Sequence, residues 1–188
     1  TAFAERARIG GAALGLLLSL VAVLVAGTLK LSLLNANVVS VTLPLPGAEA
    51  WQATLLRWVP FDAAKGEEGV SVQGSLLIVL LLAIALTAWK GLENIVEGAN
   101  RWTWLTLGLA AATLLVAAMR LTPHSGGLDV ALTGRVLAVG AALWAVLHHA
   151  RRLDADAWRA WLWESWRFVK QIFPLLVIGV FVVGMIRV

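Results

Sequence analysis

The chain contains no cysteine and no tyrosine, and only 14% of its 188 residues are charged. Without cysteine there is no disulfide framework, no thiolate metal ligand and no sulfur nucleophile, and the redox compartment leaves no mark on the sequence. Without tyrosine a phenolic acid or base is excluded as well. The shortage of charge, set against 60% hydrophobic residues, exceeds what a water-facing globule of this length can bury. The expected class is therefore an integral membrane protein, multi-pass in the cell (inner) membrane, with the lipid bilayer as its first partner. A net charge of +4 does not point to nucleic acid, because the basic residues sit at the ends of apolar runs and form no single basic face.

A bilayer core about 30 Å thick takes roughly 20 helical residues, so apolar runs can be counted as spans. Five are expected, at residues 10–34, 71–89, 102–119, 132–147 and 172–188, within one all-α transmembrane domain covering residues 1–188. The first run is too long for the apolar core of a signal peptide and is expected to stay in the membrane. With a cytoplasmic N-terminus, Arg6, Arg8, Lys90, Arg101, Arg151, Arg152, Arg159, Arg167 and Lys170 fall on the inner side. Lys30, Arg57, Lys65, Arg120, Arg135 and Arg187 fall on the other. Retention of positive charge inside thus predicts N-terminus in and C-terminus out. Trp51, Trp58, Trp89, Trp102 and Trp104 lie in loops or at span ends, where an amphipathic indole prefers the headgroup level.

Between the first two spans, Val38–Leu43 has the β-branched character of an extended piece ended by Pro44 and Pro46. From Glu49, the residues Trp51, Leu55, Trp58 and Val59 recur at helical spacing before Pro60, which predicts a short helix on the outer membrane surface. A polar turn through Lys65, Gly66, Glu67 and Glu68 should follow. Before the fifth span, Trp158, Trp161, Leu162, Trp166 and Val169 form a helical stripe opposite Asp156, Arg159, Arg167 and Lys170, with Trp163 the exception. This is expected to be an inner interfacial helix, its cations facing anionic headgroups. Asp154 or Asp156 should cap its start, and Pro174 should separate it from the fifth span by a break at Phe173.

Candidates for chemistry are few. An ionisable group near the bilayer centre would mark an ion or proton path, and none is expected: Lys30 and Arg135 can snorkel to one side, and His148 and His149 lie near the other. Ser19, Thr106 and Thr113 lie deep in spans, where each hydroxyl most simply bonds back to a carbonyl of its own helix. His148 and His149 are adjacent, hence about 100° apart on a helix, which is wrong for one metal ion. His124, in the turn from Thr122 to Gly127, reads as a solvated loop residue. Glu67-Glu68 and Asp154/Asp156 read as solvated loop charges. Gly11 and Gly15 have the small-residue spacing that lets membrane helices pack closely. No phosphate loop, catalytic triad or nucleotide fingerprint occurs, so no enzyme, metal or cofactor is expected.

The run from Trp163 to Ile186 (WESWRFVKQIFPLLVIGVFVVGMI) resembles a segment of the permease family that includes the organoarsenical efflux permeases. There a similar stretch of Glu, Trp, Lys, Pro-Leu-Leu and spaced glycines leads into a core transmembrane helix. Glu164, Trp166, Lys170, Pro174, Gly179 and Gly184 fall at the matching positions. The resemblance covers about Trp158–Ile186 and implies a permease or permease component exporting a small solute. Family members carry further core helices after this segment, so it also implies a pathway completed by helices of the same or another chain. Thiol ligation, associated with arsenical export, is denied to a chain without cysteine. The alternative is a non-transporting accessory subunit of a larger membrane complex, its apolar faces covered by partner helices.

Overall fold

The computed structural model describes residues 11–29, 31–58 and 69–186. Its elements in chain order are α1 (Gly11–Thr28), α2 (Ser32–Asn35), β1 (Asn37–Leu43), α3 (Ala48–Trp58), α4 (Val72–Leu92), α5 (Arg101–Ala118), β2 (Arg120–His124), β3 (Gly127–Thr133), α6 (Gly134–Ala150) and α7 (Ala155–Ile186). The residues around Arg6 and Arg8, Lys30, the turn at Lys65–Glu68 and Arg187 lie outside the described ones. Three helices, α1, α4 and α5, are long and apolar enough to cross a membrane, and α6 is a shorter apolar helix of 17 residues. Leu17, Leu18, Val21 and Leu24 on α1 and Val79, Leu82 and Leu86 on α4 are exposed. Helices that close their own backbone hydrogen bonds and present such side chains suit lipid as solvent.

The helices pack as two antiparallel pairs, α1 against α6 and α4 against α5, joined where α5 meets α6. The direction of the first pair is fixed at both ends. Arg135, near the start of α6, donates from Nη2 to Leu29 O and Asn35 Oδ1, both at 3.1 Å, while His149, near its end, meets Gly15 and Ser19 of α1. The expected first span of residues 10–34 is therefore divided: α1 stops at Thr28, and Ser32–Asn35 is a separate turn of helix. Arg135 thus supplies a donor to the carbonyl of Leu29, just past the end of α1.

One end of the bundle carries a three-stranded antiparallel sheet of order β1-β3-β2, so the expectation of an all-α chain is corrected. The β-branched run of β1 pairs with β3 from Asn37 opposite Thr133 to Leu43 opposite Leu128, with an irregularity between Asn37 and Val39. Thr42 Oγ1 donates to Asp129 Oδ1 at 2.6 Å across that pair. β2 and β3 form a hairpin around Ser125 and Gly126, in which His124 stands in the strand with Nδ1 3.6 Å from Asp129. Pro123 is accommodated because β2 is an edge strand. The helix expected from Glu49 is present as α3, pinned by Gln52, which donates to Val70 O at 3.2 Å and accepts from Val72 N at 2.9 Å. Gln73 of α4 donates to Val116 O and Met119 O, both at 2.9 Å, fastening α4 to the end of α5.

The opposite end gathers Trp89, Trp102, Trp104, Trp158, Trp161, Trp163 and Trp166 and holds the main hydrophobic cluster: Ala88, Leu92, Ile95, Leu162 and Trp166, backed by Leu107, Trp158 and Trp163. Ile95 is fully buried, which stabilises by about 1.5–3 kcal/mol. α7 starts here, with Asp154 as the cap: its Oδ2 accepts from Asp156 N at 3.2 Å. The expected break at Phe173 is absent, and α7 runs as one helix of 32 residues with Pro174 inside it. Proline removes a single N–H, whereas opening the helix would strand several backbone groups. The expected apolar stripe divides between two surroundings. Trp158, Leu162 and Trp166 face the bundle with Trp163 beside them, while Trp161 and Val169 are exposed.

Candidate functional site

The residues singled out in the sequence meet chemistry at one place, the junction of α4 with α7. The last turn of α4 carries Ala88 and Leu92 into the cluster and leaves Glu93 as its C-terminal cap. A carboxylate at the negative end of a helix is unfavourable by itself. Lys170 offsets this, with Nζ 2.8 Å from both Glu93 oxygens, and Trp166 Nε1 donates to Glu93 Oε2 at 2.9 Å. Lys170 Nζ also lies over the rings of Trp163 and Trp166, at 5.3 and 5.6 Å from their centroids. The bond from Lys170 and then that from Trp166 hold the Glu93 carboxyl below its ordinary value of 4.5. Trp104 of α5 stacks on Trp158 of α7 at 5.6 Å, a second tie along the same seam.

The six positions of the family-like run separate accordingly. Trp166 and Lys170 are brought together on Glu93. Glu164 is not: it is exposed and pairs only with Arg167 of its own helix at 3.6 Å. Pro174 and Gly179 are exposed, and a Cβ on Gly179 would meet nothing within 4 Å. Gly184 lies within α7. Glu93 was missed by sequence reasoning, although a signal existed: Trp166 and Lys170 stand one turn apart on one face, with no carboxylate three or four residues from either on their own helix.

Beside this junction, α4 and α5 approach backbone to backbone. A Cβ on Gly91 would lie 2.5 Å from Thr103 N and Trp102 C, so glycine is required. Thr103 is fully buried; its hydroxyl donates to Gly91 O at 2.6 Å and accepts from Asn100 N at 3.2 Å. Asn100 Oδ1 accepts from Thr103 N at 3.0 Å, completing a capping box.

In the α1–α6 interface, Ser19 Oγ donates to Gly15 O at 2.7 Å, as its place in the span implied. Thr106 and Thr113 bond back to Trp102 O and Leu109 O in the same manner. His149 Nδ1 lies 2.8 Å from Ala145 O and 3.1 Å from Ser19 Oγ. A carbonyl can only accept and the Ser19 proton is engaged, so the ring proton belongs on Nδ1. The ring fills the place a Cβ on Gly15 would take. His148 instead stacks on Trp144 at 5.4 Å, so the two histidines diverge as expected. Among the described residues no group of three or more His, Cys, Asp or Glu could hold a metal ion.

No protein-family model, curated protein or solved structure matches the sequence.

Proposed function

We propose that this chain is a membrane permease component that exports a small solute, its pathway completed by further helices packed against α7. One observation carries the reading. From Trp158 to Lys170, α7 is fastened to the bundle, whereas from Phe173 to Gly179 every residue is exposed, all round the helix. A helix held at one end and bare beyond it suits packing against helices outside this chain, and Gly179 in the bare part permits close approach. The likeness of Trp163–Ile186 to the organoarsenical efflux permeases supports transport as the purpose. In this reading α6 and the distal half of α7 are the fourth and fifth crossings, and the tryptophan-rich end faces the cytoplasm.

The absence of cysteine makes the test clean. Single cysteines replacing Leu175, Val177 and Ile178, with Leu137 of α6 as an exposed comparison, are treated with a short bifunctional thiol-to-amine reagent in native membranes. Cross-links from α7 and none from Leu137 are expected. Export is read separately, as resistance of cells to a panel of toxic small solutes that includes organoarsenicals. Pro174→Leu and Gly179→Leu should lower resistance while membrane levels stay constant. Resistance unchanged by both variants defeats the permease reading.

The second reading, a non-transporting accessory subunit, is favoured by how the buried hydroxyls are used. Those of Ser19, Thr87, Thr103, Thr106 and Thr133 are all bonded to carbonyls of this chain. Cross-linking from α7 without any export phenotype is its expected signature.

A further inference from the structure

The charges at the tryptophan-rich end do not all cancel one another. Glu93 is taken by Lys170, Asp156 by Arg159 and Glu164 by Arg167. Among the described residues Lys90 and Arg101 have no carboxylate within ion-pair distance, and Glu97, in the turn between them, pairs with neither. Lys90 is nonetheless held in place. Its ammonium lies 5.0 Å from the centroid of the Trp102 ring, and its carbonyl accepts from Asn100 Nδ2 at 3.3 Å. Beside these groups the surface sinks into a groove of about 390 Å³ lined by Asn100, Arg101, Trp102 and Leu105. The lining changes character along the start of α5: the amide of Asn100 and the guanidinium of Arg101, then the indole of Trp102 and the alkyl side chain of Leu105, both exposed.

We propose that this groove binds the anionic phosphate headgroup of a membrane phospholipid. Lys90 and Arg101 neutralise the phosphate charge, with Arg101 and the Asn100 amide as donors, and Trp102 and Leu105 lie along the start of the acyl chains. Order decides the ligand class. Two unpaired cations alone would accept any anion, but the polar-to-apolar gradient over the six residues from the cap of α5 to Leu105 matches an amphiphile whose phosphate sits directly above hydrocarbon. A zwitterionic headgroup is disfavoured because its ammonium would approach two fixed positive charges. The site stands on residues other than those of α7 and does not depend on the transport reading.

The test uses the full chain reconstituted with a mixture of phosphatidylglycerol and phosphatidylcholine, extracted in mild detergent and weighed by native mass spectrometry. Wild type should retain phosphatidylglycerol in preference to phosphatidylcholine. Lys90→Gln with Arg101→Gln should lower that retention by about tenfold or more. The charge-preserving swap Lys90→Arg with Arg101→Lys should retain it, which separates loss of the site from misfolding. Arg151→Gln with Arg152→Gln removes the same charge at the same end away from the groove, and should change retention by less than about twofold. Equal losses in the two neutralised variants would reduce the effect to diffuse surface charge and overturn the proposal. So would equal retention of the two lipids, or displacement of the lipid by millimolar inorganic phosphate, which would make a free anion the ligand.

Discussion

Thr103→Val removes one hydroxyl and keeps the shape, and the geometry sets what that should cost. The hydroxyl donates to Gly91 O, a carbonyl at the end of α4 with no helical partner, and accepts from Asn100 N, the amide that opens α5. The residue is fully buried, so water does not replace the bond to Gly91 O. Leaving a buried donor or acceptor unsatisfied costs about 1–3 kcal/mol, and loss of half a capping box about 1 kcal/mol. The first falls on Gly91 O and the second on Asn100 N, so together they give about 2–4 kcal/mol. For a chain of this size that lowers the melting temperature by on the order of 10 °C. The assay is thermal unfolding in one detergent, followed by the ellipticity of the helices, for wild type, Thr103→Val and Thr103→Ser. Serine keeps the oxygen and should recover most of the loss. A valine variant melting within about 2 °C of wild type, or a serine variant no better than valine, would show that the hydroxyl does not tie α4 to α5.

Gly15→Ala should destabilise the α1–α6 pair by about 1–2 kcal/mol, because the new methyl takes the place of the His149 ring. Adding His149→Ala should relieve that penalty, and additive losses in a double-mutant cycle would refute the contact. The junction of α4 with α7 should loosen in acid. The Glu93 carboxyl is held below 4.5 by Lys170 and Trp166, so its contribution is complete above that value and is lost as pH falls through the lower folded value. Hydrogen exchange over Trp158–Lys170 should rise there in wild type, while Glu93→Gln should already exchange fast at neutral pH and respond little to acid. Identical pH profiles for both proteins would remove Glu93 from the junction.

The apolar runs announced α1, α4, α5 and α6 because a bilayer demands an uninterrupted length of such residues, and that signal is local. Val38–Leu43 was likewise legible as extended chain, since its β-branched side chains and the prolines after it act within a few residues. Its partner was not: β1 pairs with β3 across some 90 intervening residues, and no pattern in either strand names the other. The β2–β3 hairpin did leave a mark, the Ser125-Gly126 pair between two short runs, but Pro123 and the glycines suggested a loop, and Leu132 was absorbed into a span. Pro174 misled because the steric preference of Phe173 for extended backbone is outweighed by the backbone hydrogen bonds that an unbroken helix keeps. The tryptophan stripe was read from hydrophobicity alone, which put Trp161 and Val169 on one face with Trp158, Leu162 and Trp166. The Glu93–Lys170 pair turns the helix so that a cation lies on the packed face instead.

Because α7 is unbroken, it is about 48 Å of stiff rod, and whatever rotates its fastened end sweeps its free end. Lys170 lies about 24 Å from Ile186 along the axis, so a tilt of about 10° at the Glu93 contact displaces the tip by about 4 Å. The carboxylate–ammonium pair is then the fulcrum of a lever. A shift at the tryptophan-rich rim would thus be magnified on the far side of the fulcrum.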